Sequence, residues 1–394
     1  MNPTAMELHN LLVIAPAPGR ADGDSLILDK KFVEGMRFYA NAWPGRTTCL
    51  LQEPRREGPF LGRFDPAALP FAVSLRPTGH HVTAADLDGH DVILCSGDNQ
   101  EYLHVARLCR QAGKAIYFSI ENIPETRRKI VLLDPGRSLP SRLRALWNIG
   151  RAERQRLCAF ALADGLQANG YPAADLYRPV NGNTVLYLDN RIDGALLATP
   201  EEMAARRSHL LDGGRLRLIH SGRLEPLKGS QDLIPIARRL RDGGVDFSLD
   251  IFGDGTLDGA IRQGIADHGL SQHVRLHGSV DFATELVPYA RQNSDLFLSC
   301  HRQSDPSCSY LENMGCGLAV MGYGNRMWTA LAADSKAGWV APMDDWQALA
   351  DRLIALAADR RDLADACERA WSFAGAHLFE TEFDKRIAQM KKGG

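Results

Sequence analysis

The sequence predicts an α/β protein built from two doubly wound, Rossmann-like domains. Short apolar runs rich in β-branched residues alternate with longer segments of helical periodicity, and this alternation occurs in each half of the chain. Strands that alternate with helices usually pair in parallel. Such sheets bind ligands at the carboxyl ends of their strands, so two sheets facing one another would form an interdomain cleft. The length of 394 residues is sufficient for such cores.

The predicted strands of the first half are short apolar runs at residues 11–15, 47–51, 92–95, 115–119, 165–168 and 184–188. Helical patterns lie between some of them, at residues 100–112 and 141–162. The second half repeats the scheme, with strands predicted at residues 216–221, 247–252, 274–277, 296–299 and 318–320. Its predicted helices lie at residues 229–242, 257–268, 284–293, 310–316 and 346–358. No short-period repeat is visible, which excludes a solenoid.

The domain boundaries follow from a change of composition near the middle of the chain. Residues 191–214 are polar and alanine-rich and end in Asp-Gly-Gly, so we predict a linker there. The N-terminal domain then covers residues 1–190 and the C-terminal domain residues 215–375. We expect residues 376–394 to form a C-terminal helix and tail that packs back on the N-terminal domain.

Composition excludes several classes of protein. Charged residues make up 24% of the chain, the formal net charge is -2, and no long basic run is present. A nucleic-acid partner is therefore not expected, and membrane association would be peripheral at most. The apolar stretch 11–17 is too short for a signal peptide core with its flanks. Eight scattered cysteines without a C-x-x-C pair indicate reduced thiols and a cytoplasmic protein, not a zinc site.

The stretch from His220 to Gly229 is the first candidate phosphate site. It follows a predicted strand, turns at Gly222 and opens a predicted helix. Arg223 and Lys228 leave the strand end together, where a helix start also presents amides without intrahelical partners. Two cations and oriented amides suit a diphosphate. The alternative for this motif is a solvated loop that carries two surface cations.

Two further strand ends carry glycine. The sequence Gly253-Asp254-Gly255 follows a predicted strand, and glycine there permits a ligand to approach the backbone closely. A tight turn without a ligand explains it equally well. His277 and Gly278 end the next predicted strand, in a place where the chain would pass beside a nucleobase. His277 alone is more often a packing or surface histidine.

The stretch 304–317 gives the sharpest signal. Its small residues 307–309 lead into a short predicted helix, so their amides form an anion-accepting helix start. Glu312 lies within that helix and close to its start. Because phosphate repels a carboxylate, Glu312 would bind neutral hydroxyl groups such as a ribose diol. In the alternative, Asp305 caps the helix and Glu312 is a surface charge.

Together, in this order, these motifs resemble the retaining GT-B glycosyltransferases of the family 4 type, also called glycosyl transferases group 1. The resemblance rests on Gly222-Arg223-Leu224 with Lys228-Gly229, Gly253-Asp254-Gly255, Leu276-His277-Gly278 and Leu311-Glu312 with Cys316-Gly317. It covers about residues 215–360. Residues 163–183 are similar to the end of that family's acceptor domain, and residues 1–160 resemble it only in pattern. The order of amino acids at residues 305–312 resembles that of a bacterial polysaccharide-type subgroup.

The resemblance implies a role for each matching residue. Arg223 and Lys228 would hold the donor diphosphate, and Glu312 would match the second glutamate of the family's E-x7-E motif and bind the ribose. The first glutamate of that motif falls at Ser304, and Asp305 is the candidate for the missing carboxylate. The residues implied to line the donor site are Gly222, Gly253, Asp254, Gly255, His277, Gly278, Ser304, Ser307, Cys308, Ser309 and Glu312.

Two places in the N-terminal half are weaker candidates. A glycine-bearing loop is predicted at residues 15–23, and it includes Gly19 and Gly23. In the family the matching loop approaches the donor phosphate and the acceptor, but a plain surface loop is an equal possibility. Glu121 follows a predicted strand and could face the reacting centre, where the family often has histidine. A strand-end carboxylate without a catalytic role is at least as good an explanation.

The resemblance implies transfer of a sugar from a nucleotide-diphosphate donor to a saccharide or glycoconjugate acceptor, with retention at the anomeric carbon. The nucleotide sugar would bind the C-terminal domain and the acceptor the N-terminal one. No cofactor is implied. We expect no essential metal, because no Asp-x-Asp stands at a plausible strand end and two cations can neutralise the leaving diphosphate. Attack from the face of the leaving phosphate is favoured over a covalent intermediate.

Two alternatives remain open from the sequence. A GT-B nucleotide-sugar epimerase would share the fold and the diphosphate site, although no clear proton-relay residues are present. A non-catalytic nucleotide-sugar-binding subunit is suggested by Ser304 in place of glutamate. A nicotinamide dehydrogenase is disfavoured, because no G-x-G-x-x-G follows the first strand of either half with an acidic residue about 20 positions on.

Overall fold

The computed structural model describes residues 9–53, 61–134, 136–304 and 306–392, and the chain folds into two compact units. The first unit comprises Met1–Pro124, Leu143–Tyr187 and Glu382–Gly394. The second comprises Glu125–Arg142 and Leu188–Thr381. The second unit therefore takes up both the predicted linker and a short segment from the N-terminal half of the chain.

The first unit is built on a nine-stranded sheet. Its strands are β1 (Leu11–Asp22), β2 (Ser25–Asp29), β3 (Thr47–Gln52), β4 (Leu61–Phe64), β5 (Ala72–Arg76), β6 (Val92–Ser96), β7 (Ala115–Ile120), β8 (Gly165–Asn169) and β9 (Thr184–Tyr187). The parallel part has the order β5-β3-β1-β6-β7-β8-β9. Its central strands are apolar throughout because both faces of a parallel sheet are covered.

The loop predicted at residues 15–23 is in fact the second half of a long strand. β1 continues to Asp22 and pairs antiparallel with β2, which in turn pairs antiparallel with β4. Gly19 lies inside the strand, where an added Cβ would come within 2.9 Å of the Leu51 side chain. Gly23 lies in the hairpin turn with a φ of 60°. The loop was predicted from its glycines and from a strand expected to end at residue 15, whereas β1 passes through a register shift between Ile14 and Pro18 and continues.

The second unit contains a six-stranded, fully parallel sheet. Its strands are β10 (Leu216–Ser221), β11 (Phe247–Phe252), β12 (Val274–Gly278), β13 (Leu296–Ser299), β14 (Ala319–Tyr323) and β15 (Gly338–Ala341). They lie in the order β12-β11-β10-β13-β14-β15. This is the strand order of a Rossmann fold, and the order reverses between β10 and β13. Doubly wound sheets bind ligands at that switch point, outside the carboxyl ends of the strands.

The helices of both units lie between or after these strands. They are α1 (Lys30–Ala42), α2 (Val105–Ala112), α3 (Pro124–Leu133), α4 (Leu139–Leu162), α5 (Tyr171–Tyr177), α6 (Pro200–Leu211), α7 (Leu233–Asp242), α8 (Asp258–Asp267), α9 (Val287–Asn293), α10 (Cys308–Gly315), α11 (Arg326–Ser335), α12 (Trp346–Ala358), α13 (Arg361–Ala376) and α14 (Phe379–Lys392). Among the described residues, no helix combines the length and the apolar character needed to cross a membrane.

Two of these helices bear on the predicted boundaries. α6 lies within the predicted linker, where the Thr199 side chain and Glu202 form a capping box at its start. The last turns of α14 belong to the first unit. There the Gln389 Nε2 donates to the carbonyl oxygen of Asn183 at 2.7 Å, and the Arg386 Nε donates to the Gln167 Oε1 at 2.9 Å. These buried hydrogen bonds fix the C-terminal helix against β8.

Candidate functional site

The loops that follow β10, β11 and β12 are joined by backbone hydrogen bonds at the carboxyl edge of the second sheet. The amide of Gly222 donates to the carbonyl of Phe252 at 3.1 Å, and the amide of Leu224 donates to Asp254 at 2.7 Å. The amide of Gly253 donates to the carbonyl of Gly278 at 2.8 Å. The glycine motifs predicted from the sequence therefore lie side by side and form one surface.

Glycine is required where this surface is most tightly packed. Gly253 has a φ of 123°, and an added Cβ would overlap the carbonyl oxygen of Gly222. Gly229 has a φ of 71°, and an added Cβ would overlap the carbonyl oxygen of Cys300, in the loop after β13. Only glycine tolerates both the backbone angle and the close approach. The loop after β10 is thus packed directly on the loop after β13, at the switch point.

The two predicted phosphate-binding cations lie on this packed loop. Arg223 is exposed, and its guanidinium has no hydrogen-bond or ion-pair partner among the residues that the structure describes. Lys228 is half-buried, and its Nζ lies 3.5 Å from the Ser307 Oγ. The structure therefore brings Lys228 to the start of α10, which is the second predicted anion-binding element.

The start of α10 presents small polar residues. Ser307 is the N-cap and Cys308 the first helical residue, and the hydroxyl groups of Ser307 and Ser309 lie 2.7 Å apart. The Cys308 thiol donates to the Asp189 Oδ2 at 3.5 Å. The side chain of the N-cap residue Ser307 makes no capping hydrogen bond to this helix. A helix start of this kind, next to a lysine, favours a negatively charged ligand.

Two buried histidines lie close enough to Lys228 to feel its charge. The His220 Nδ1 lies 2.9 Å from the carbonyl oxygen of Leu298, and burial lowers the pKa of His220 to about 4. Burial also lowers the pKa of His301 well below its usual value, and the charge of Lys228 acts in the same direction. Both rings are therefore neutral at physiological pH. Neither nitrogen of His301 has a hydrogen-bond partner among the described residues.

Glu312 is held by a residue that the sequence did not single out. Its carboxylate is 9% exposed, and it accepts from the Arg191 Nε at 2.7 Å and from the Arg191 Nη2 at 3.2 Å. The guanidinium of Arg191 lies 3.7 Å from the ring centroid of Phe282. A carboxylate has about four acceptor positions, so this bidentate pair leaves room for two ligand hydroxyl groups.

Ser304, which replaces the first glutamate of the E-x7-E pattern, is bonded to a carboxylate from elsewhere in the chain. Its Oγ donates to the Glu125 Oε1 at 2.9 Å, and Ser304 is 1% exposed. The Lys129 Nζ lies 3.0 Å from the same carboxylate oxygen, and the Arg326 Nη1 lies 3.7 Å from the other. Burial raises the pKa of Glu125, but the contacts with Ser304, Lys129 and Arg326 together outweigh it, so that the pKa lies below its usual value and the carboxylate is ionised. Asp305 lies outside the described residues.

Helix α3 is tied to this loop by a second contact. The Lys129 Nζ donates to the carbonyl oxygen of Arg302 at 3.0 Å. The Glu125 carboxylate is 35% exposed, so one edge of it is open to solvent. Sequence reasoning missed Glu125 and Lys129 because both lie about 180 positions from the loop that they contact.

His277 and Asp254 have partners of their own. The His277 Nε2 lies 2.7 Å from the Asp250 Oδ1, and its ring stacks on Phe252 with the centroids 4.3 Å apart. This is the packing arrangement that the sequence left open for His277. Asp254 accepts from the Ser279 hydroxyl at 2.9 Å, so its side chain links two of the loops. The contact of either residue with a donor stays a prediction.

The remaining candidates lie in the first unit. Glu121 directly follows β7 and is exposed, and its amide donates to the Asp98 Oδ2 at 2.7 Å. A groove of about 290 Å³ also lies at the carboxyl edge of this sheet. It is lined by residues Pro16, Pro18, Gln52, Glu53, Thr78, Gly79, Asn99, Glu101 and Tyr102. Gly19 and Gly23 do not line it.

A family model and two curated proteins are similar to part of this chain. Residues 202–371 match the family model of Glycosyl transferases group 1. The amylovoran biosynthesis glycosyltransferase AmsK of Erwinia amylovora is 29% identical over 44% of this chain and 42% of its own. A phosphatidyl-myo-inositol mannosyltransferase of Mycolicibacterium smegmatis is 28% identical over 50% of this chain and 51% of its own. The chain thus spans about half the length of the curated relatives it matches.

The fold is shared over nearly the whole chain. The structure of HepE from Anabaena in complex with UDP superposes with a TM-score of 0.66 over 96% of this chain and 98% of HepE, at 16% identity. At this identity the likeness concerns the fold. It confirms the predicted GT-B fold class with two Rossmann-like domains.

Proposed function

We propose that this protein is a glycosyltransferase that takes a sugar from a nucleotide-diphosphate donor. One observation carries the proposal: Lys228 lies at the start of α10, at the switch point of a Rossmann sheet, and the exposed Arg223 lies on the same loop as Lys228. These groups suit a diphosphate, because charge-assisted hydrogen bonds and helix amides both favour clustered negative charge. The family match over residues 202–371 supports the same activity.

The chemistry assigned to the site is stabilisation of the leaving group. As the bond between sugar and phosphate lengthens, negative charge grows on the diphosphate. Arg223, Lys228 and the amides at positions 307–309 would bind that charge more strongly than they bind the intact donor, which lowers the barrier. Glu312, oriented by Arg191, would bind the ribose hydroxyl groups. We propose retention of anomeric configuration, with attack from the face of the leaving phosphate.

We also propose that Glu125 supplies the carboxylate that Ser304 lacks. Ser304 fixes the Glu125 Oε1 at 2.9 Å, only three residues before the N-cap of α10. An ionised carboxylate with one open edge is a strong acceptor for the hydroxyl groups of a sugar. Glu125 would therefore bind the transferred sugar and hold it in position, while the nucleotide is bound by the other groups.

The acceptor is proposed to be a saccharide or glycoconjugate that binds the first unit. The groove at the carboxyl edge of its sheet offers the amides of Gln52 and Asn99, the Thr78 hydroxyl and two carboxylates, together with Tyr102. Such a mixture of polar groups and an aromatic ring suits sugar hydroxyl groups. AmsK, which acts in amylovoran biosynthesis by its name, supports a role in polysaccharide or glycoconjugate biosynthesis.

Neither alternative is favoured by the comparisons. Both curated relatives are named as transferases, not as epimerases. A non-catalytic binding subunit was suggested by the missing glutamate, and the carboxylate of Glu125 beside Ser304 weakens that reason.

The test is a donor screen followed by a transfer assay. Nucleotide sugars are screened by thermal stabilisation, because a ligand that binds only the folded state raises its apparent stability. The donor that stabilises the protein is then incubated with saccharide acceptors, and product and free nucleoside diphosphate are measured. Stabilisation without transfer or donor hydrolysis would favour the binding subunit, and conversion of the free nucleotide sugar to its epimer would favour the epimerase.

A further inference from the structure

Helix α4 carries a face of large apolar residues that are exposed in the part of the chain that the structure describes. Leu143 is 69% exposed and Trp147 is 66% exposed. The buried residues of the helix are Ala152, Arg156, Ala159 and Phe160. At 3.6 residues per turn, Leu143 and Trp147 lie on the side of the helix opposite to this buried face. An exposed tryptophan and leucine one turn apart mark an interaction surface.

The same face is basic. α4 contains five arginines and a single acidic residue, Glu153. The Glu153 carboxylate is turned towards the protein, where it accepts from the Tyr177 hydroxyl at 2.8 Å and from Arg156 at 3.3 Å. Arg144, Arg151 and Arg154 are exposed, and none has an ion-pair partner among the described residues. Their positive charge is therefore left for a partner outside the molecule.

Apolar and basic groups also meet in one shallow cavity on α4. It has a volume of about 420 Å³ and is lined by Leu146, Trp147, Gly150, Arg151 and Arg154. Gly150 has no side chain, so the helix backbone forms the floor between the tryptophan and the two arginines. A cavity with two guanidinium groups beside an indole ring suits a phosphate headgroup whose acyl chains lie against the apolar residues.

We infer that this face of α4 docks on a membrane surface that contains anionic phospholipids. Tryptophan and leucine enter the boundary between headgroups and acyl chains, while the arginines bind the phosphates. The charge of this face favours a lipid partner over a second copy of the chain. Its three exposed arginines have no acidic residue among them, so two copies of the face would repel one another. The inference concerns association only and does not depend on the proposed transferase activity.

The experiment is co-sedimentation of the 394-residue chain with phosphatidylcholine vesicles, with and without phosphatidylglycerol. We expect binding only to the anionic vesicles. Arg151→Gln with Arg154→Gln should weaken it, by about fivefold for each arginine lost. Leu143→Ser with Trp147→Ser should weaken it too. The matched control is Arg107→Gln with Arg110→Gln, which makes the same change of net charge on the exposed face of α2 and should leave binding unchanged.

Brominated lipids give a second measurement. They quench the fluorescence of an indole inserted among acyl chains, and Trp147→Phe should abolish most of that quenching. Failure of the wild type to bind anionic vesicles would overturn the inference, as would an equal loss of binding in the α2 control. Self-association that is lost in the Leu143 and Trp147 variant, without lipid binding, would show that the face binds a second copy instead. Circular dichroism and Tm verify that each variant is folded.

Discussion

Replacement of Glu125 by glutamine is the most direct test of the proposed sugar site. The change keeps the shape of the side chain and its ability to accept from Ser304, but removes the charge. A hydrogen bond from a sugar hydroxyl to a carboxylate contributes about 1.5–3 kcal/mol. We therefore expect Glu125→Gln to weaken binding of the intact nucleotide sugar by about 10- to 100-fold, while binding of the free nucleoside diphosphate changes little.

The effect on folding should be small by comparison. The Glu125 carboxylate is 35% exposed, so its ion pairs with Lys129 and Arg326 are screened by solvent. Exposed pairs contribute about 0–1 kcal/mol, which corresponds to a change in Tm of at most about 4 °C for a unit of this size. A loss of function through unfolding would thus be visible as a much larger decrease in Tm.

The assay compares two affinities measured by calorimetry for each variant. The probes are UDP with UDP-glucose, or GDP with GDP-mannose, whichever pair the wild type binds. The matched control is Glu368→Gln in α13. It removes the charge of an exposed glutamate whose Oε1 lies 3.0 Å from the Arg207 Nη1. A merely structural role of Glu125 would weaken both ligands of a pair equally and would refute the reasoning. A different result would be that Asp305→Asn weakens binding of the nucleotide sugar but not of the nucleoside diphosphate, while Glu125→Gln binds both as the wild type does. That result would show that Asp305, and not Glu125, is the carboxylate that binds the sugar.

Three further predictions follow from the same unit. Arg223→Ala and Lys228→Ala should each reduce transfer by about 10- to 100-fold, since each removes charge-assisted bonds to the diphosphate; near wild-type turnover in both, with unchanged circular dichroism, would contradict the phosphate site. Transfer should survive exhaustive chelation, and complete loss restored only by manganese or magnesium would reveal a metal requirement. In the folded state His301 and His220 are neutral, and their pKa values lie below those that they have in the unfolded chain. As the pH falls below about 6.5, the unfolded state therefore binds more protons than the folded state does. Stability should therefore fall with acid, and His301→Phe should make Tm less sensitive to pH below about 6.5, because the pKa of His301 lies well below that value in the folded state. An unchanged pH profile would show that His301 is protonated alike in both states.

The strands of the second sheet could be predicted because each is marked by residues within or next to its own short stretch of sequence. The runs that became β10 and β11 are rich in apolar residues, each is followed directly by a glycine, and both were predicted with the observed bounds. α6 was missed although a signal was present, since Thr199 and Glu202 have the spacing of a capping box. The short strands β2 and β4 carry little apolar periodicity, and only their pairing with the extended half of β1 makes them strands.

The candidate site was predictable only in part, for a related reason. The glycines and cations that follow β10 and β11 come directly after strands that the sequence predicts. Their place at the carboxyl edge of the sheet could therefore be predicted as well. The contacts that orient the two carboxylates could not. Arg191 and Glu312 are 121 positions apart, and Ser304 and Glu125 are 179 positions apart. Such pairs form only when distant elements pack together in the fold, so no local sequence pattern predicts them.

The serine at position 304 and the glutamate at position 125 also explain one another. A glutamate at position 304 would place a second carboxylate against that of Glu125, and two adjacent carboxylates cannot both ionise without cost. Ser304→Glu alone should therefore lower stability and raise the pKa of one carboxylate of the pair. In the Glu125→Gln background the same substitution should restore affinity for the nucleotide sugar, because it returns one ionised carboxylate to the site. Calorimetry of the two single variants and the double variant measures this coupling. Equal losses in Ser304→Glu with and without Glu125 would mean that the two positions act independently.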